Sequence, residues 1–237
     1  MNTQESATAP QAGPGPESRL DTVEIVTGPA PDAAVIWLHG LGADGHDFEP
    51  IVPQLLWPGA PDIRFVFPHA PVRPVTINGG MQMRAWYDIV EMSLNRDQDQ
   101  QGIAQSIEQS TALIERERRR GIDPSRIVLA GFSQGGAISV QAALRYPETL
   151  AGLVALSTYL LNDSELENNR HEANRELPVF VGHGTADPMV PCMLGEQVTG
   201  RLRGLGHAVE WHSYPMMHAV CPQEINDLAK WLQKCLA

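Results

Sequence analysis

The feature that most restricts this chain is a series of short, almost uninterrupted apolar runs, each followed by a stretch of different character. Candidate strands are Thr22–Val26, Ala34–Leu38, Arg64–Phe67, Arg126–Ala130, Leu153–Ser157, Pro178–Gly182 and Val209–Tyr214. Several are near-continuous Val/Ile/Leu/Phe segments, which is what a strand covered on both faces requires. Between them lie helical patterns. Ile103, Ile107, Ser110 and Ile114 recur on one helical face in a segment that ends at Gly121, and residues 134–145, 192–205 and 223–236 supply further helices. Such alternation predicts a mostly parallel central sheet with helices on both faces.

The boundaries follow from composition. Residues 1–20 carry Pro10, Gly13, Pro14, Gly15 and Pro16 with few large apolar side chains, and are expected to form a disordered leader. Residues 21–237 are then a single α/β domain, within the usual size of one folding unit. The leader has neither a basic start nor an apolar stretch, so it is no secretory signal. A net charge of −11 argues against nucleic acid and against stable insertion into, or attraction to, anionic membranes. The basic run from Arg116 to Arg120 fits a solvated helix C-terminus, where cations favour the dipole. Cys192, Cys221 and Cys235 show no C-x-x-C spacing and are odd in number, which predicts free thiols and a cytoplasmic setting.

Two glycine-rich turns follow apolar runs. Gly40-Leu41-Gly42-Ala43-Asp44-Gly45 matches the G-x-G-x-x-G pattern of dinucleotide sites, but alone this is weak. Asp62, the acidic residue at about the right distance, begins a candidate strand where it should end one, and Pro50 and Pro53 interrupt the helix that should follow. The second turn, Gly131-Phe132-Ser133-Gln134-Gly135, is a G-x-S-x-G pattern between a buried strand and an Ala-rich helix. That context makes Ser133 a candidate nucleophile. The flanking glycines suit a sharp turn at which side chains would collide with strand and helix.

A serine hydroxyl reacts at neutral pH only with a base in hydrogen-bond reach and a carboxylate to orient that base. In this type of fold both follow the serine in the chain, acid first. Of the five histidines after Ser133, His171 lies in a polar stretch, His183 ends a strand, and His207 and His212 belong to the last strand. His218 lies past that strand and before the final helix, and is preferred. Asp187, on the loop after PVFVG, is the preferred acid, with Asp163 as runner-up.

The segments Leu38–Phe48, Gly131–Gly136, His183–Pro191 and His218 together resemble the carboxylesterase, phospholipase and acyl-protein thioesterase family of α/β-hydrolases. The stretch Thr76–Asp88 is most similar to the bacterial carboxylesterase branch. The resemblance runs from about residue 21 to the end. It implies Ser133 as nucleophile, Asp187 as acid and His218 as base, with no cofactor and no metal. It also recasts the first glycine turn as an oxyanion loop, with the backbone N–H groups of Leu41 and Gln134 as donors. On that basis the side chains of Leu41 and Gln134 are expected to matter less than their backbone.

The expected activity is hydrolysis of short to medium acyl esters, as a carboxylesterase acting on a small-molecule acyl ester. An acyl-protein thioesterase or lysophospholipase with the same triad is the alternative, and a non-catalytic binding module on this scaffold a distant one. Residues 71–83, PVRPVTINGGMQM, are expected to form a flexible flap over an acyl groove, with Met81 and Met83 lining it. A homodimer is compatible with the sequence, though no decisive apolar patch calls for one.

Overall fold

The computed structural model describes residues 20–90 and 98–237. All but the last residue of the expected leader therefore lies outside the described residues. The strands are β1 (Thr22–Val26), β2 (Ala33–Leu38), β3 (Ile63–Pro68), β4 (Val72–Val75), β5 (Met81–Arg84), β6 (Ile127–Phe132), β7 (Gly152–Leu156), β8 (Val179–Gly184) and β9 (Val209–Tyr214). The helices are α1 (Val52–Leu55), α2 (Gln100–Arg119), α3 (Gln134–Arg145), α4 (Asp163–Asn169), α5 (Cys192–Gly204) and α6 (Pro222–Leu236).

Seven strands form one sheet in the order β1-β3-β2-β6-β7-β8-β9. Only β1 runs antiparallel to its neighbour, at the edge beside β3. The central strands show why the apolar runs are continuous. In β2, Ala34, Ile36 and Leu38 face the core beneath α2, α3 and α5, while Ala33, Val35 and Trp37 face the core beneath α1 and α6. Alternation places every residue in one core or the other, so none is left for water.

The other differences from expectation are local. Pro50 and Pro53 do not interrupt a long helix. They sit in the first turns of a 3-10 turn (Glu49–Ile51) and of the single-turn α1, where a missing N–H costs little. The first glycine turn thus opens no long helix. Residues 71–83 fold as an antiparallel hairpin of β4 and β5, paired Val72 with Arg84 and Val75 with Met81. The expected flap is thus built as a two-stranded element, turned by Gly79 and Gly80 at positive φ. The basic run is more than a solvated helix end. Arg116 and Arg120 both pair with Glu24 of β1 and with the fully buried Glu117, which Arg64 also reaches at 2.7 Å. The cluster fastens the antiparallel edge strand to α2. Among the described residues no helix is long and apolar enough to cross a membrane.

Candidate active site

Ser133 stands at the junction of β6 and α3 with φ 53° and ψ −120°, a conformation that L-residues avoid. The surroundings hold it there. Its N–H donates to the Leu156 carbonyl at 2.8 Å, and its own carbonyl accepts from the Thr158 hydroxyl at 2.6 Å. The glycines are dictated by space. A Cβ on Gly131 would overlap the Gly135 carbonyl, and one on Gly135 would overlap the Leu38 carbonyl.

The expected partners converge on this serine. Asp187 follows β8 and is buried, and its Oδ1 accepts the N–H groups of Met189 and Val190, both at 2.8 Å. Its Oδ2 lies 2.6 Å from His218 Nδ1, and His218 Nε2 lies 3.0 Å from Ser133 Oγ. The ionised carboxylate only accepts, so His218 donates from Nδ1 and turns the lone pair of Nε2 to the serine hydroxyl. The two loops are sewn together by Thr185 N–H to Tyr214 O and Ala186 N–H to Met216 O. The Phe132 ring packs against the imidazole at 4.7 Å. Such an array can take a proton from Ser133 as its oxygen attacks an acyl carbon.

The rejected candidates have other tasks. Asp163 heads α4 and pairs with Arg201 at 2.8 Å. His171 is exposed and caps a 3-10 turn, and His212 pairs with Glu210. His183 is buried, donates from Nε2 to the Val190 carbonyl, and lies 3.5 Å from Asp187 Oδ2. Burial holds its pKa below the ordinary imidazole value.

Ser133 and His218 open into a cavity of about 700 Å³ that Gly40, Leu41 and Gln134 also line. Its far walls include Ile77, Met83, Ile89, Tyr159, Val190 and Leu194. Met83 thus lines the cavity as expected. Met81, at the turn end of β5 two residues from Met83, does not line it and is largely exposed.

Sequence reasoning missed the supports of this site. The Gln134 side chain is buried, accepting at Oε1 from Trp86 N–H (2.8 Å) and donating from Nε2 to Tyr87 O (2.9 Å). It is a structural member of the site, a role not foreseen when its side chain was expected to matter less than its backbone. His39 donates from Nδ1 to Gly40 O and accepts Ala70 N–H at Nε2, and burial pushes its pKa down to about 4. A fixed neutral imidazole therefore stands at the root of the first glycine turn. The lone Trp in the stretch RAWYD was the one visible hint.

A mostly parallel sheet covered on both faces, with a hydroxyl, an imidazole and a carboxylate in line at its strand ends, defines an α/β-hydrolase of the serine type. Residues 21–236 match the phospholipase/carboxylesterase family, and the chain belongs to that family. It is 39% identical over 234 residues to acyl-protein thioesterase 1 of Cryptococcus neoformans, covering 92% of this chain and 98% of that protein. It is 40% identical over 215 residues to acyl-protein thioesterase 1 of Gibberella zeae, covering 86% and 91%. Among solved structures, Arabidopsis thaliana SOBER1 superposes with a TM-score of 0.80 at 31% identity, covering 86% of this chain and 99% of that one. Zea mays acyl-protein thioesterase 2 does so at 0.80 and 26% identity, covering 92% and 100%. The protein is accordingly a hydrolase of ester or thioester bonds.

Proposed function

We propose that the protein is a thioesterase that removes acyl chains from protein-borne thioesters, with oxygen esters as slower substrates. The observation that carries this reading is the cavity of about 700 Å³ beside Ser133, well within the range of about 300–1,000 Å³ that holds whole ligands. Its apolar walls suit a long acyl chain better than the short to medium esters first expected. The fungal relatives named acyl-protein thioesterase 1 support the same choice over a general carboxylesterase.

In this reading His218 takes the Ser133 proton while Oγ bonds to the thioester carbon. The oxyanion forms facing the N–H groups of Leu41 and Gln134, each worth about 2.7–4 kcal/mol in the transition state. The carbon–sulfur bond then breaks, His218 protonates the departing thiolate, and the acyl group remains on Ser133. Water, deprotonated by His218, attacks the acyl-serine and releases the carboxylic acid. Asp187 holds the imidazole tautomer and offsets its charge throughout. We place the reaction in the cytoplasm, a setting supported by the three free cysteines.

The test is kcat/KM on matched oxygen and sulfur esters from acetyl to palmitoyl. A preference for long-chain thioesters is expected, and a clear preference for short oxygen esters would return the protein to the carboxylesterase reading. Labelling of wild-type Ser133, and not of Ser133→Ala, by a fluorophosphonate checks the nucleophile separately. No adduct at Ser133 would favour a binding module.

A further inference from the structure

Both oxyanion donors proposed above are held by one short strap, residues 84–87, which continues directly from β5 of the hairpin. On the oxyanion-loop side, Gly42 N–H donates to Arg84 O at 2.9 Å, and the Trp86 indole N–H donates to His39 O at 2.8 Å. On the elbow side, Gln134 exchanges two hydrogen bonds with the backbone of Trp86 and Tyr87. Trp86, His39 and Gln134 are all buried, so the bonds of the indole and of the Gln134 side chain are not traded for water, whereas the Gly42 bond lies at an exposed turn. The strap is itself fixed by Ala85 N–H to Pro71 O and by the Arg84 guanidinium to Ala70 O. One residue before it, Met83 lines the cavity, its sulfur accepting from the Asn78 amide at 3.3 Å.

We infer that the strap couples acyl-chain binding to catalysis. An acyl chain seated against Met83 braces the hairpin. The strap carries that constraint to the Leu41 and Gln134 amides, so part of the chain's binding energy appears in kcat and not only in KM. Trp86 and the Gln134 side chain are positioning residues. They touch no reacting atom and act through the backbone donors. The inference rests on the hydrolase reading of the site and adds how its specificity is expressed.

Two substitutions test it. Trp86→Phe keeps an aromatic ring in the packed site and removes the bond to His39 O. Gln134→Met keeps the side-chain length and removes both strap bonds. In the wild type, kcat is expected to rise with chain length between acetyl and palmitoyl thioesters. In each variant palmitoyl kcat should fall 10- to 100-fold, with KM within about twofold and acetyl kcat changed far less. The pH midpoint of kcat/KM should stay in place, because the Asp187–His218–Ser133 array is untouched.

Variants that raise KM at unchanged kcat, or that lose acetyl and palmitoyl kcat equally, overturn the inference. A second measurement separates its failure from that of the substrate assignment. A fluorophosphonate places its own P=O oxygen at the oxyanion donors, so a long-alkyl probe should label Ser133 at least tenfold more slowly in both variants. A short-alkyl probe should be slowed less. Unslowed labelling in folded variants overturns the strap whatever substrate proves correct.

Discussion

The elbow around Ser133 and the hairpin of β4 and β5 border the same cavity, yet their glycines answer opposite needs. At the elbow, Gly131 and Gly135 are required because backbone from β2 and α3 fills the space a side chain would occupy. In the hairpin, Gly79 and Gly80 have φ of 67° and 78° and nothing near their missing side chains. One region is crowded and fixed by its neighbours. The other is held by its own turn and by the strap, with Val72 and Met81 facing outward at 60% and 63% exposure. The contrast teaches that this site keeps its nucleophile on the over-determined region, while one wall of the cavity is lent by a thin two-stranded element.

The largest expected effect breaks the crowded side at its centre. Ser133→Ala should lower kcat on any hydrolysed acyl substrate by roughly 10⁶-fold, and Asp187→Asn by roughly 10⁴-fold through the wrong imidazole tautomer. Single-turnover release of the thiol measures both. A loss below tenfold for Ser133→Ala would remove the elbow from the chemistry.

Titration tests how far burial shapes the crowded side. Glu224 lies against Gly182 with both carboxylate oxygens unpartnered among the described residues, and burial raises its pKa to about 8. A raised folded-state value means stability fully present below the unfolded value of 4.5 and lost as pH climbs through about 8. Glu224→Gln should therefore stabilise the protein at pH 8 by an amount on the order of a few kcal/mol and do little at pH 5. His39 has the opposite sign. Its depressed value gives stability present above 6.5 and lost as pH falls toward about 4. Thermal melts of the parent and of Glu224→Gln across pH 4–9 read both slopes. An identical pH dependence in the two proteins would show that Glu224 is not buried as described.

Smaller effects compare the glycines directly. Gly135→Ala should cost about 1–3 kcal/mol from overlap with the Leu38 carbonyl and slow fluorophosphonate labelling sharply. Gly80→Ala meets no neighbour and carries only the left-handed penalty of about 1–2 kcal/mol, a fall of a few degrees in Tm, with labelling near the parent rate. If Gly80→Ala proved the more damaging for labelling, the division between a crowded reactive side and an open substrate side would be wrong.

Much of this was legible in the chain. Strands β1 and β9 match their expected bounds, and the others shift by a residue or two at their ends. The hairpin was not legible as strands, since its one β-branched run, Val75, Thr76 and Ile77, falls mostly in the 3-10 turn between the strands, and Pro74, Gly79, Gly80 and two methionines surround it. Helix α4 was hidden in the polar stretch after Asn162, where only Leu166 is buried.

The sequence by itself determined the layered α/β plan and the turn that carries Ser133, and favoured residues 187 and 218 over their rivals, because periodicity and turn chemistry are local and leave a local mark. Only the tertiary structure decided the strand order, with β3 passing outside β2, and the hydrogen bonds that tie Gln134 to Trp86 and Tyr87. Those depend on groups far apart in the chain meeting where water is excluded. A buried amide needs some partner, and no spacing rule along the chain says which one it will find.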